Sequence, residues 1–270
     1  MGLGMARNLA KAGYLSAVYN RTAAKTTEFK IPAYPSPEAL AAEVDIVLIC
    51  VSADQDVLKI VEAIAKTIKP GAIVVDMSTV SSETAKKAAT IMAEKQVAFL
   101  DAPVSGGVEG AKNGTLAMMV GGDAEALEKA RPVLSTLTSR IMHMGATGSG
   151  QATKAVNQVM CAGINQAVTE ALAFAQAQGL AMDKVIDVIS GGASGNWFLE
   201  HRGSTMTHGT FASGFKLALH HKDLKICQEM AAQTGFLIPL TDITVSDYEQ
   251  LMTMGFGDED ISALYRLKNR

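Results

Sequence analysis

Lys154 and Asn157 lie three residues apart in Gly148-Ser-Gly-Gln-Ala-Thr-Lys-Ala-Val-Asn157, where a glycine-loosened turn feeds a helical stretch. At i, i+3 spacing an amine and a carboxamide share one helical face. Such a pair can give a proton to a carbonyl oxygen or take one from an alcohol. The amine must then be partly desolvated, because a free lysine titrates near ~10.4 and is a poor acid–base group at neutral pH. Asn20-Arg21-Thr22 closes an apolar run and offers neutral and cationic donors to a phosphate, although Asn and Thr also serve as ordinary helix caps. Ser105-Gly106-Gly107 sets a hydroxyl and two glycine amides just past another apolar run. Such amides form either a cradle for a carboxylate or a tight turn needing φ > 0. Lys222-Asp223 lies on a helical stretch beside His220 and His221. Adjacent histidines on a helix point about 100° apart and no carboxylate has ligand spacing, so no metal role is assigned.

Two kinds of element must position these groups. Up to about residue 147, short β-rich runs (Leu15 to Tyr19, Asp45 to Val51, Ala72 to Asp76, Ala98 to Ala102, Leu116 to Val120 and Arg140 to Met144) alternate with helical patterns. Those patterns cover Ala23 to Phe29, Asp56 to Ile68, Ser82 to Lys95 and Ala124 to Leu137. Alternation of this kind predicts an α/β domain with a doubly wound parallel sheet. From residue 148 to 270 strand signal disappears. Ala152 to Gln178 reads as one long helix ended by Gly179, and helices from Met182, Phe215, Pro239 and Asp260 complete an all-helical domain. The expected boundary is the glycine cluster at Gly145, Gly148 and Gly150.

Composition excludes several classes. With 48% hydrophobic and 19% charged residues the chain is globular, and a net charge of −3 without a basic tract argues against nucleic acid or an anionic membrane surface. Cys50, Cys161 and Cys227 are an odd, scattered set, as expected of reduced thiols in a cytoplasm. No apolar run is long enough for a membrane span and no signal peptide opens the chain, so a soluble cytoplasmic protein is expected.

A dinucleotide-binding sheet opens with a strand and the fingerprint G-x-G-x-x-G. Here Met1 to Leu9 already has helical character, and Gly2 parses as the last glycine of that fingerprint, with the first strand missing. About eighteen residues later, where an acidic side chain would accept the ribose hydroxyl of NAD, stand Asn20, Arg21 and Thr22. Their donors suit a 2′-phosphate, so NADP is preferred over NAD.

Taken together these segments resemble the β-hydroxyacid dehydrogenase family, which includes 3-hydroxyisobutyrate dehydrogenase and the tartronate, glyoxylate and succinic semialdehyde reductases. Met1-Gly-Leu-Gly-Met-Ala-Arg-Asn-Leu9 is similar to the second half of its opening motif, and Asp101-Ala-Pro-Val-Ser-Gly-Gly107 to its substrate motif. Gly148 to Asn157 is similar to its catalytic helix, Lys222-Asp-Leu224 to its late cofactor motif, and Gly257 to Asp260 to its closing segment. The chain departs at its start, about a dozen residues into the family pattern. A Rossmann-like sheet lacking its central strand, with a gap or re-closed edge and impaired cofactor binding, is therefore expected.

The resemblance implies roles. Lys154 protonates the carbonyl oxygen, its pKa lowered by burial between the two domains, while Asn157 orients substrate or lysine. Ser105, Gly106 and Gly107 hold a carboxylate, whereas Asp101 fixes the loop. Thr79 touches the nicotinamide ribose. Val51 and Ser52 line a cofactor turn, although Val-Ser replaces the family's Leu-Pro. Lys222 lies beside the cofactor, and Asp223 near the catalytic pair. Ser78 or Thr79 would also cap the following helix, Phe215 would line the pocket or pack the core, and Trp197 is expected in the core. The expected substrate is a small carboxylated aldehyde or alcohol of three or four carbons, and the expected assembly a homodimer or homotetramer. The competing readings are a non-catalytic dehydrogenase-like binding or assembly protein, disfavoured by the retained Lys154 and Asn157, and an imine reductase, which lacks that lysine.

Overall fold

Strands β1 (Ile46–Ile49), β2 (Ile73–Asp76), β3 (Ala98–Asp101), β4 (Val104–Ser105), β5 (Leu116–Gly121) and β6 (Thr138–Gly145) make one sheet in the computed structural model, which describes residues 1–269. β1, β2 and β3 run parallel in that order. β5 lies antiparallel to β3 and β4 and parallel to β6. The sheet is therefore mixed rather than all parallel. Only Ala102-Pro103 separates β3 from β4, and only Gly106 to Thr115 separates β4 from β5, whereas a parallel crossover takes about a dozen residues or more.

The chain folds as two compact units, Met1–Lys154 and Ala155 onward. In the first, helices α1 (Gly2–Lys11), α2 (Pro37–Ala41), α3 (Asp54–Ile64), α4 (Ser82–Ala93), α5 (Gly107–Asn113) and α6 (Ala124–Leu134) cover both faces of the sheet. Because side chains alternate along a strand, Ile73 and Val75 of β2 join Leu100 beneath Met5, Leu9, Leu127 and Leu134. Val74 and Phe99 face the other way with Val57, Val61, Ala85 and Ala88. Burial of each of the larger of these side chains contributes roughly 1.5–3 kcal/mol. Ser36, Ser81 and Asp123 each accept an N–H of the turn they open, which sets the starts of α2, α4 and α6. Ser81 is thus the cap of α4, not Ser78 or Thr79.

Two expected elements are reduced. Leu15 to Tyr19 forms a single parallel bridge, Val18 with Ala33, in place of a strand. Among the described residues no further strand lies along β1, which is an edge of the sheet. The 15–19 segment has only that one-residue partner among the described residues, too little ladder to sustain a strand. The Ala23 to Phe29 pattern yields only a 3₁₀ turn over Ala23–Thr26, since Thr22 gives it no side-chain cap.

α7 (Ser149–Ala177) begins in the first unit and continues into the second. There, α8 (Met182–Ser190), α9 (Trp197–Thr207), α10 (Leu217–Thr234), α11 (Pro239–Thr253) and α12 (Tyr265–Lys268) complete an all-helical body. α9, which has no clear apolar period in the sequence, starts because Asn196 accepts the Leu199 N–H at 2.9 Å. The core of this unit gathers Leu172, Phe198, Leu199, Leu217, Leu224, Tyr248 and Leu251. Among the described residues no helix is long and apolar enough to cross a membrane.

Candidate active site

In a parallel sheet, ligands meet the carboxyl ends of the strands. β2 and β3 end there in two carboxyl groups that are ladder neighbours, Asp76 and Asp101, both fully buried. Asp76 Oδ1 accepts the Ser78 N–H at 2.9 Å, and Ser78 Oγ accepts the Val51 N–H at 2.9 Å. The turns after β1 and β2 are thereby joined, with Thr79 half-buried beside them and Ser52 exposed. Gly2, at the start of α1, comes close to the same point, since a Cβ built on it would stand 3.8 Å from Cys50 Sγ. Gly2, Val51 and the Ser78-Thr79 turn therefore converge. Asn20, Arg21 and Thr22 stand apart as an exposed turn in which Asn20 Oδ1 accepts the Thr22 N–H at 2.9 Å. Burial, resisted by the Ser78 bonds and reinforced by the Asp101 and Asp54 charges, pushes Asp76 up to about 7. Its Oδ2 has no hydrogen-bond partner among the described residues.

Asp101 anchors the lysine-bearing helix. Its Oδ1 accepts the Gly148 N–H at 2.7 Å and its Oδ2 the Gln151 N–H at 2.9 Å, so a buried carboxylate satisfies donors that the start of α7 would otherwise leave orphaned. Burial raises this carboxyl above its ordinary value and those N–H bonds hold it down. The close approach demands glycine at 150, because a Cβ there would collide with the carbonyl oxygens of Asp101 and Met119. The Gln151 carboxamide accepts the Val80 N–H (3.2 Å) and donates to the Ser78 carbonyl (2.9 Å). Lys154, one turn further along, is 7% exposed.

Ser105 ends β4, paired with Ala117 of β5. Gly106 (φ +126°) and Gly107 (φ +63°) follow in conformations that side-chain-bearing residues rarely adopt. Ser105 and Gly107 are half-buried and Gly106 is exposed.

In the second unit a polar chain runs between α7 and α10. Asn157 Nδ2 donates to Gln158 Oε1 at 2.8 Å, and Gln158 Nε2 donates to Asp223 Oδ2 at 2.6 Å. Asp223 Oδ1 lies 2.8 Å from Lys222 Nζ. That approach is a charge contact rather than an aligned hydrogen bond, for Oδ1 has no hydrogen-bond partner by direction among the described residues. Asp223 is buried and Lys222 half-buried, so the dipeptide is no solvated surface pair. Gln158 escaped the sequence reading. The available signal was its i+4 spacing from Lys154, which shares the lysine's face as well as Asn157 does.

Other candidates resolve as packing. The His220 ring sits between the Gln158 carbonyl (Nε2, 3.3 Å) and the Tyr248 hydroxyl (Nδ1, 3.1 Å). A carbonyl only accepts, so Nε2 carries the proton and Nδ1 accepts from Tyr248, whose phenol is pushed up by burial. Phe215 packs against the helical core. Trp197, expected inside, is 60% exposed and stacks on His201 with ring centroids 4.3 Å apart. It opens α9 at the position after the cap, where its side chain is not drawn into the core formed by Phe198 and Leu199.

Family models match both parts of the chain: the NAD binding domain of 6-phosphogluconate dehydrogenase over residues 1–148 and the NAD-binding domain of NADP-dependent 3-hydroxyisobutyrate dehydrogenase over 148–268. An uncharacterized oxidoreductase of Shewanella frigidimarina is 38% identical, covering 98% of this chain and 93% of that protein. The NAD-dependent L-serine dehydrogenase of Pseudomonas aeruginosa is 34% identical, covering 99% and 94%. Among solved structures, the 3-hydroxyisobutyrate dehydrogenase of Mycobacterium tuberculosis with L-serine superposes with a TM-score of 0.90 at 32% identity, covering 100% of this chain and 96% of the other.

Proposed function

Since the chain belongs to the β-hydroxyacid dehydrogenase family and is an NAD(P)-dependent oxidoreductase acting on CH–OH groups, we propose that it interconverts a short carboxylated hydroxy acid and its semialdehyde, with Lys154 as the acid–base group and NADP as the preferred cofactor. The observation that carries this reading is a lysine buried on a helix whose first turn is bonded directly to the carboxyl end of the sheet through Asp101.

The residues present fit a dinucleotide. Gly2 opens α1 without a side-chain cap, and the adjoining turns offer only small or hydroxyl side chains at Val51, Ser52, Ser78 and Thr79. Amides at a helix start and small neighbours suit a pyrophosphate. Arg21, exposed at the end of the Val18 bridge segment, is the group for a 2′-phosphate. When bound, the nicotinamide supplies or takes up the hydride.

The chain's own residues do the rest. Ser105 and the Gly106 and Gly107 amides receive the substrate carboxylate, and both glycines hold the positive φ that such amide cradles use. Lys154 gives its proton to the substrate carbonyl oxygen on reduction and takes it from the hydroxyl on oxidation. In the second unit Gln158 holds Asp223 Oδ2 and Asp223 Oδ1 steadies the Lys222 ammonium that serves the cofactor, with Asn157 bonded to Gln158 as its support.

The test is turnover of a panel of short acids, L-serine and 3-hydroxyisobutyrate among them, with NADP⁺ and NAD⁺ in parallel. Lys154→Ala is expected to reduce turnover to a small residual rate while the cofactor still binds. A variant that keeps the parental rate removes Lys154 from the reaction.

A further inference from the structure

Gln151 stands one turn before Lys154 on α7 and is 1% exposed. Its carboxamide satisfies two peptide groups of the turn after β2, accepting from Val80 N–H at 3.2 Å and donating to the Ser78 carbonyl at 2.9 Å. Its backbone N–H goes to Asp101. Ser78 is further held by Asp76 and by the Val51 N–H. Thr79 thus sits between two residues that the same side chain clamps. Both bonds lie outside the backbone ladder of α7, whose opening N–H groups go to Asp101. Their effect is to fix one position of the helix against one position of the turn.

We propose that Gln151 is a positioning residue for the reaction, locking the first turn of α7, and through it Lys154, to the Ser78-Thr79-Val80 turn. The inference rests on the assignment of Lys154 as proton donor. The turn presents one donor and one acceptor, so only a side chain with both in one plane can serve. Glutamine can. Leucine supplies neither bond. An ionised glutamate accepts from Val80 but sets a lone pair against the Ser78 carbonyl, beside two residues whose backbone N–H groups already bond the carboxyls of Asp76 and Asp101. A protonated glutamic acid, with one O–H and one C=O, restores both bonds.

These properties give a signature that a purely structural role lacks. Gln151→Leu, Gln151→Glu, Lys154→Ala and the Gln151→Leu/Lys154→Ala double variant are compared by kcat, KM for the hydroxy acid, cofactor Kd and thermal unfolding. Because displacing a reacting group by about 1 Å can cost roughly 100-fold, Gln151→Leu is expected to lose roughly 10- to 100-fold in kcat. KM and cofactor Kd should move less than about threefold, since the lost interaction acts in the transition state rather than in ground-state binding. Gln151→Glu should regain kcat relative to the parent as pH falls from about 8 to about 5.5, following protonation of the new carboxyl. In the Lys154→Ala background, Gln151→Leu should lower the residual rate no further, because residues acting as a unit are not additive.

A folded Gln151→Leu protein with parental kcat overturns the proposal, as does a full additional loss in the double variant. Should Gln151→Leu not fold, the glutamate variant decides, and a kcat ratio to the parent that does not change with pH overturns it. The two readings fail differently. Parental turnover in Lys154→Ala removes the proton donor and this proposal with it, whereas an inactive Lys154→Ala beside a fully active Gln151→Leu removes only the role of Gln151.

Discussion

Replacing Asp76 by asparagine should change how stability depends on pH. The carboxyl is fully buried, gives Oδ1 to Ser78 and leaves Oδ2 without a hydrogen bond among the described residues. It titrates near 7 in the folded chain against 3.8 ordinarily. A raised folded-state pKa means that the native state binds the proton more tightly than the unfolded chain. The stabilisation is therefore fully present below about pH 4 and is lost as pH rises through 7. Every tenfold difference in proton affinity is worth about 1.36 kcal/mol, so the full loss approaches about 4 kcal/mol, of which about 2–3 kcal/mol falls between pH 5 and pH 8. Asparagine keeps the Oδ1 acceptor but never ionises, and its unpartnered Nδ2 costs roughly 1–3 kcal/mol at every pH. The variant should then lie within about 1 kcal/mol of the parent at pH 5 and be the more stable protein, by roughly 1–3 kcal/mol, at pH 8. Urea denaturation of both cofactor-free proteins at constant ionic strength measures the difference, and subtracting the curves removes every group they share. Parallel stability curves for the two proteins from pH 5 to pH 8 would show that Asp76 is ionised throughout and that the burial argument is wrong.

Arg21→Ser should raise the NADPH Kd roughly 10- to 100-fold, the worth of a charge-assisted bond, and the NADH Kd by less than about threefold; equal losses in a titration would undo the 2′-phosphate assignment. Gly150→Ala drives a Cβ into the carbonyl oxygens of Asp101 and Met119, so it should cost roughly 1–3 kcal/mol or more and lower Tm by several degrees, and an unchanged melting curve would refute that packing. Gln158→Leu removes the donor from buried Asp223 Oδ2 and should cost about 1.5–3 kcal/mol, read by urea denaturation, with no change expected only if Asp223 finds another donor.

Much of the first unit was legible because its signals are local. Apolar runs bounded by turns marked β1, β2, β3 and β5, and the glycines at 106, 107 and 148 all take the positive φ that makes glycine informative. Leu15 to Tyr19 has the composition of a strand but became a lone bridge, since a strand exists only with a neighbour to pair with. Residue type alone predicts Trp197 in the core, yet its place on α9 leaves it on the surface. The sequence marks Asp101 as a loop anchor. Its reach to Gly148 and Gln151, some fifty residues on, was not readable from any spacing.

By itself, then, the order of residues determined the succession of strands and helices, the left-handed turns and the face of α7 that carries Lys154, Asn157 and Gln158, all of which depend on neighbours within a few positions. Tertiary structure alone decided which buried polar groups meet: Gln151 with Ser78 and Val80, Asp101 with the start of α7, Gln158 with Asp223. The physical reason is that periodicity tells a side chain which way to face, whereas a buried donor must be satisfied by whichever acceptor folding brings within about 3 Å of it.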